Sequence, residues 1–122
     1  LQNIIQDLVD NSDLKIKISI AADHTEFKIL FRPDKLPVKL CSGGQKALIR
    51  ILFKLGIMIY LNQYYGNYKV LIMDEPTAAI DYETTIDIAV LFKTASKHFN
   101  QIIVVTHCSD FAQVADHVIW IT

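Results

Sequence analysis

The sequence predicts an α/β fold whose core is a parallel sheet flanked by helices. Short apolar runs at Val70–Met73, Ile102–Val105 and Val118–Ile121 are separated by segments with the length and pattern of helices. Runs of this kind, without strict alternation of polar residues, are typical of parallel strands that are covered on both faces. The resulting β-α-β-α-β order is the pattern of an open α/β sheet.

The composition favours one domain with a real core. The chain has 122 residues, of which 52% are hydrophobic. Twelve basic and thirteen acidic residues give a net charge of −1, so no overall field recruits DNA or anionic lipid. The sequence contains neither an apolar stretch that could span a bilayer nor a signal-peptide pattern. We therefore expect an intracellular protein without a membrane partner, nuclear if its source is eukaryotic and otherwise cytoplasmic.

The first third of the chain predicts a helix and then a β-hairpin. An apolar stripe at helical spacing predicts a helix over residues 1–10, with the character of the last turns of a longer helix; the stripe consists of Leu1, Ile4, Ile5, Leu8 and Val9. Two alternating segments predict an antiparallel hairpin over residues 15–32, with its turn at Asp23–Thr25. Pro33 and Pro37 predict an extended loop after the hairpin.

The remaining helices are predicted from caps and periodicity. Ser42 is a suitable N-cap for a long helix over about residues 44–64. A second helix is predicted over about residues 83–98, and a short one near residues 109–114. These helices fill the spaces between the apolar strands.

An acidic pair closes the first apolar strand. Asp74 and Glu75 lie at the C-terminal edge of a parallel strand, which is where open α/β sheets bind ligands. In nucleotide hydrolysis the first carboxylate would hold Mg²⁺, directly or through water, and the second would orient or deprotonate the attacking water. The plain alternative is a strand that ends in two solvated acids.

The turn that begins the long helix is a second candidate. Ser42, Gly43 and Gly44 offer a hydroxyl, backbone N–H groups and the positive end of a helix dipole, which together favour an anion. Taken alone, these residues are better explained by an ordinary capped helix start with a Gly-Gly turn. Gln45 adds little to this pattern by itself.

Two further residues are candidates by their position. His107 follows the second apolar strand, where its imidazole is placed to donate to a γ-phosphate at the same sheet edge as Asp74. Asp81 lies six positions after Glu75 and is placed to reach across an interface, although an Asp at a helix start is usually a cap. No stretch reads G-x-x-x-x-G-K-[ST], the loop that holds the β- and γ-phosphates, so these residues do not make a complete nucleotide site.

In their order, these motifs resemble the C-terminal half of an ABC-type ATPase head, which is a P-loop NTPase. Cys41–Gln45 resembles the signature motif, Val70–Glu75 the Walker B strand, Ala79–Asp81 the D-loop and His107 the switch histidine. The resemblance covers residues 37–121 and implies the parallel sheet flanked by helices that the apolar runs predict.

Two details favour the SMC-like branch over transporters. Asp74 follows Gln45 by 29 positions, about two helical turns more than in transporter ATPases. The signature with Cys41, together with Ala115–Ile119, is similar to the Rad-fifty-type DNA double-strand-break repair ATPases. This resemblance implies that residues 1–10 end a coiled-coil helix and that residues 11–122 form the C-terminal lobe.

The resemblance also implies a mechanism and partners. ATP and Mg²⁺ would be bound between this lobe, a Walker A-bearing N-terminal lobe of the same protein and a second head in a homodimer. Ser42, Gly43, Gly44 and Gln45 would contact the nucleotide of the opposite head, and Asp81 would couple the two sites.

Asp74, Glu75 and His107 would serve the nucleotide of their own head, with Asp74 as the Mg²⁺ ligand and the other two as catalytic groups. Closure of the two heads would position DNA and control an Mre-type nuclease. The lobe alone is expected to be inactive. Two alternatives stay open at this point: an SMC- or RecF-like chromosome-maintenance ATPase, and a non-catalytic half that only scaffolds a partner.

Overall fold

A computed structural model describes residues 1–12, 14, 42–66 and 68–122, together with the backbone of residues 16–20, 27–31 and 36–37. The order of elements confirms the α/β fold with an N-terminal helix and a hairpin. The elements are α1 (Gln2–Asn11), β1 (Ile16–Ile20), β2 (Phe27–Phe31), β3 (Leu36–Pro37), α2 (Gly43–Tyr65), β4 (Val70–Asp74), α3 (Tyr82–Ala95) and β5 (Gln101–Val105), with 3₁₀ turns at Ser96–His98 and Ser109–Gln113. Cys41 and the turn predicted at Asp23–Thr25 lie outside the described residues.

The three helices share one hydrophobic core. Its eight largest fully buried side chains come from all three: Ile5, Leu8, Val9, Leu52, Leu55, Ile59, Ile88 and Leu91. Each such side chain contributes about 1.5–3 kcal/mol through its removal from water. Apart from the exposed Leu1, the apolar stripe predicted in residues 1–10 therefore faces the core, where it packs against α2 and α3.

Gly56 lets α1 approach α2 closely. A Cβ atom at this position would lie 2.5 Å from Cγ1 of Ile5. That separation is far below a normal carbon contact, so a larger residue would push the two helices apart. The small residue in the middle of α2 thus sets the distance between the two helices.

The hairpin forms in the predicted place and gains a third strand. β1 and β2 are antiparallel, with the register running from Ile16 opposite Phe31 to Ile20 opposite Phe27. β3 pairs with β2 where an extended loop was predicted, so that prediction was wrong for this short segment. Pro37 is compatible with an edge strand because an edge position does not require its missing N–H.

Within the described residues, the parallel strands β4 and β5 are covered by helices on one face only. Leu71 and Met73 point into the core and are buried, whereas Val70 and Ile72 point the other way, with Ile72 65% exposed. Alternation along the strand puts these pairs on opposite faces. The prediction of cover on both faces was therefore wrong for the described residues, which supply a helical layer on one side. We call the uncovered side the open face.

The third predicted strand of this sheet is absent. Residues 118–121 have neither helical nor strand structure, and the side chain of Ile121 is 91% exposed. A strand exists only through hydrogen bonds to a neighbour, and no described strand pairs with this segment. An ion pair of 2.5 Å between Lys93 and Asp116 ties the start of the segment to α3.

Candidate active site

The acidic pair lies where the parallel strands end. Asp74 is the last residue of β4 and is paired in register with Val105, the last residue of β5. The next backbone N–H, that of Glu75, still donates to the Val105 carbonyl over 2.7 Å. Because alternation places Asp74 on the same side as Ile72, its exposed carboxylate belongs to the open face.

Glu75 and His107 meet at this edge, 32 residues apart in the chain. Oε1 of Glu75 lies 2.8 Å from Nδ1 of His107 and also accepts the His107 backbone N–H over 3.1 Å. Oε2 accepts from the Thr106 hydroxyl over a longer 3.4 Å. The positive φ of 45° at Glu75 turns the chain out of the strand and lets the side chain reach the end of β5.

Hydrogen bonding from His107 lowers the pKa of Glu75 below its ordinary value of 4.5. The carboxylate is thus ionised at neutral pH, and since a carboxylate only accepts hydrogen bonds, Nδ1 of His107 carries the proton that joins them. The Glu75 side chain is 35% exposed and that of His107 is 83% exposed. The pair can therefore reach water and an incoming ligand.

The predicted anion turn begins α2 with a reciprocal cap. The Ser42 hydroxyl accepts from the Gln45 N–H over 3.2 Å, and the Gln45 side-chain oxygen accepts from the Ser42 N–H over 2.9 Å. Neither Gly43 nor Gly44 donates its N–H to any other described residue, as is usual in the first turn of a helix. A hydroxyl and two N–H groups are therefore available to an anion.

Asp81 is the N-cap of α3. Oδ1 accepts from the Thr84 N–H over 2.9 Å, and Oδ2 accepts from the Thr84 hydroxyl over 2.8 Å. These two hydrogen bonds from Thr84 lower the pKa of Asp81 below 3.8. The expectation that Asp81 caps a helix is confirmed, while its coupling role stays a prediction.

A groove lies between the start of α2 and the loop that follows Glu75. Its volume is about 370 Å³, and one wall is the start of α2 while the other is the loop that follows Glu75; the lining residues are Gly43, Ala47, Arg50, Ile51, Pro76, Ala78, Ala79 and Ile80. The loop also carries a positive φ of 59° at Ala79. The anion turn is thus adjacent to the chain that links Glu75 to Asp81.

The structure brings together some predicted residues and adds others. Glu75 and His107 are in contact, and the turn at Ser42–Gln45 lies beside Asp81. Sequence reasoning missed Thr106 and Thr84, which hold the two carboxylates. It also missed the capping role of Gln45, although the spacing S-x-x-Q is a known signal for a reciprocal cap.

The residues present are compatible with Mg²⁺ beside a nucleotide. No group of three or more His, Cys, Asp or Glu among the described residues is arranged to hold a metal ion. Mg²⁺ at phosphate sites is commonly held by one or two carboxylates together with the phosphates, which Asp74 could satisfy.

Of the helices in the described ranges, none has the length and apolar character required to cross a membrane.

No protein-family model matches the chain. A DNA double-strand break repair Rad50 ATPase of Pyrococcus abyssi is 24% identical over 95% of this chain, which spans 13% of the length of that relative. An uncharacterised ABC transporter ATP-binding protein of Bacillus subtilis, YvrO, is 32% identical over 77% of this chain and 35% of its own length. The match to Rad50 thus extends further along this chain.

The fold is similar to that of a solved SMC head domain from Thermotoga maritima. The TM-score is 0.64 and the identity 24%, with 95% of this chain and 41% of the other chain covered. The likeness confirms the predicted fold of an ABC/SMC-type head. Together with the Rad50 relatives, it confirms the resemblance on which the sequence interpretation rests.

Proposed function

We propose that this chain, which has the fold of an SMC-type ATPase head and resembles Rad50 in sequence, acts as the C-terminal half of an ATPase head in DNA double-strand-break repair. The contact between Glu75 and His107, with Asp74 at the same sheet edge, carries the proposal. Two carboxylates and a histidine at the end of parallel strands are suited to holding Mg²⁺ and orienting the attacking water in ATP hydrolysis.

Each of the three residues has a distinct role in this proposal. Asp74 would hold Mg²⁺, which would neutralise charge on the phosphates of bound ATP. Glu75, ionised and open to solvent, orients the attacking water and accepts its proton. With Nδ1 of His107 bound to Glu75, Nε2 is the ring nitrogen left for a γ-phosphate oxygen.

The open face is the proposed seat of a Walker A-bearing N-terminal lobe. Four apolar side chains on this face are substantially exposed: Val70, Ile72, Ile103 and Val105. Exposed apolar surface of this kind is typical of an interaction site. A lobe bound there would bring its phosphate loop to Asp74, which lies on the same face. It would also provide the cover that the described residues do not.

The anion turn serves a second head in this proposal. Ser42, Gly43 and Gly44 lie at a different place from Asp74, beside the loop that leads to Asp81. Two heads would enclose ATP between the Walker A side of one and this turn of the other, with Asp81 between the two sites. DNA and an Mre-type nuclease would respond to closure of the heads; support for this part comes from the resemblance to Rad50.

The test is to mix the chain with a Walker A-bearing N-terminal half and to measure phosphate release and ATP-dependent dimerisation. Hydrolysis and dimerisation in the mixture, and neither with the chain alone, are expected. A mixture that pairs without hydrolysing ATP would favour the scaffold alternative and would remove the roles of Glu75 and His107. Capture of a nuclease by a chain extended upstream would separate the repair function from an SMC- or RecF-like one.

A further inference from the structure

The first turns of α2 and α3 meet at a single tight contact. A Cβ atom at Gly44 would overlap Oδ2 of Asp81 and would lie 2.8 Å from Oγ1 of Thr84. The Asp81 carboxylate therefore lies against the backbone of Gly44, inside the proposed anion turn. Only a residue without a side chain allows this approach.

Thr84 fixes the position of that carboxylate. Its N–H and its hydroxyl hold the two oxygens of Asp81 separately, over 2.9 Å and 2.8 Å. With both oxygens bound, the Asp81 side chain cannot rotate without losing a charge-assisted hydrogen bond. The carboxylate thus stays at the start of α3, where the helix dipole also favours it.

This position matters because an anion is expected nearby. A γ-phosphate at Ser42, Gly43 and Gly44 would approach a region that already contains the negative charge of Asp81. Like charges at short range oppose binding. A carboxylate free to turn toward the phosphate would weaken its binding, whereas one held at α3 also supports the turn through its contact with Gly44.

We propose that Thr84 is a positioning residue for the signature turn: through Asp81 it holds the turn in place and fixes the orientation of the Asp81 carboxylate beside it. The inference rests on the proposed function and adds a residue to it. It predicts that Thr84 affects how readily ATP joins two heads, because the turn contacts the nucleotide of the opposite head. The chemical step in a head that has already closed depends on Glu75 instead.

The test uses Thr84→Val, which preserves shape and removes the hydroxyl, in the chain paired with its Walker A half. The head concentration for half-maximal ATP-dependent dimerisation is expected to rise about tenfold, the loss typical of a hydrogen bond to a charged group. At saturating heads and ATP, kcat should stay within about twofold of the unmodified head, since Glu75 is untouched. Thr84→Ser, which retains the hydroxyl, should restore dimerisation.

Thr94→Val is the matched control. Thr94 lies on the same helix and its hydroxyl donates to the Val90 carbonyl over 3.1 Å, away from Asp81. This variant should leave dimerisation unchanged. An equal loss of dimerisation in the Thr84→Val and Thr94→Val variants would overturn the inference. So would a Thr84→Val variant in which kcat falls while dimerisation is unchanged.

A second readout does not depend on ATP. In the ¹⁵N-labelled chain, Thr84→Val should shift the amide signals of Gly43 and Gly44, and Thr94→Val should not. Unshifted signals with Thr84→Val would overturn the positioning role even if the heads dimerise and hydrolyse ATP. Shifted signals in a head that never dimerises would instead uphold the contact and reject the proposed function.

Discussion

Two carboxylates of this chain, Asp81 and Glu75, are bound in nearly the same way by very different parts of the molecule. Each accepts one backbone N–H together with side-chain donors, one for Asp81 and two for Glu75, and the pKa of each is lowered by those hydrogen bonds. Asp81 obtains both donors from Thr84, three residues away. Glu75 obtains its donors from Thr106 and His107, more than thirty residues away.

The comparison shows that one carboxylate is held by its own segment and the other by residues distant in sequence. The Asp81 cap requires only that α3 forms, so it persists as long as that helix does. The Glu75 pair requires the register that places Asp74 opposite Val105, because a different register would move His107 away from Glu75. A helix start can therefore bind a carboxylate in this way by itself. The similar arrangement at Glu75 forms only when the sheet is assembled.

The largest expected effect comes from removing the long-range carboxylate. Glu75→Gln in the head paired with its Walker A half should lower ATP turnover by about 10²–10⁴-fold, the usual contribution of a general base. ATP-dependent dimerisation should persist, since the amide still fills the site. Phosphate release and size-exclusion chromatography measure the two properties. Undiminished turnover would reject Glu75 as the base.

The second prediction concerns the open face of the sheet at whose edge Glu75 and His107 lie. Ile72→Lys on the open face should weaken binding to the Walker A half by about 30-fold or more, because burial of an interface charge costs about 2 kcal/mol or more. The melting temperature of the chain alone should change little, since Ile72 is exposed there.

Ile57→Lys, an exposed position on α2, is the matched control for the open face. It adds the same charge at a place outside that face and should leave binding to the Walker A half unchanged. Isothermal titration calorimetry of both variants gives the comparison. Equal weakening by the two substitutions would mean that added charge, and not the open face, determines pairing.

Replacement of Asp81 is expected to lower the melting temperature more than replacement of Glu75 does. Asp81→Ala should lower the melting temperature by about 2–8 °C, the size expected for loss of one helix cap. Asp81→Asn should lower it much less, since Asn is also a good cap. Thermal unfolding by circular dichroism distinguishes them. Equal losses in the two variants would point to the charge of Asp81 and not to its cap.

The smallest effect is the response to acid. Thr84 lowers the pKa of Asp81, and Lys93 lowers that of Asp116, both below 3.8. A lowered folded-state pKa means that the unfolded chain binds protons more readily, so this stability is present above pH 3.8 and is lost as the pH falls through the folded-state values. Melting temperatures measured from pH 5 down to pH 2 should fall, and the fall should be smaller in Asp116→Asn. An unchanged pH dependence in that variant would contradict the role of the Lys93 pair.

Much of the fold followed from local patterns. The helices at 43–65 and 82–95 and the strands at 70–74 and 101–105 lie within a few residues of their predicted places, because each depends on periodicity and caps within its own segment. Residues 118–121 have the composition of a strand but do not form one. Their conformation depends on a neighbour that can pair with them, and composition does not specify that neighbour.

The candidate site divides in the same way. Its candidate residues, including Asp74, Glu75, Asp81 and His107, were predicted from their positions at strand ends and helix starts and from the order of the motifs. For Glu75 and His107, the sequence predicted a position at the same edge of the sheet but not a contact between them. The supporting residues Thr106 and Thr84 were not anticipated, because a threonine carries no signal until the acceptor that it faces is known.

The sequence by itself determined most of the helices and strands, the caps of α2 and α3 and which side chains are candidates for the chemistry, since these depend on neighbours within a few residues. Only the tertiary structure decided that Glu75 meets His107, that Asp81 lies against Gly44 and that one face of the sheet is open. Each of these depends on the packing of segments distant in sequence. The free energy of such packing depends on the shape and register of both partners, and neither segment encodes that alone.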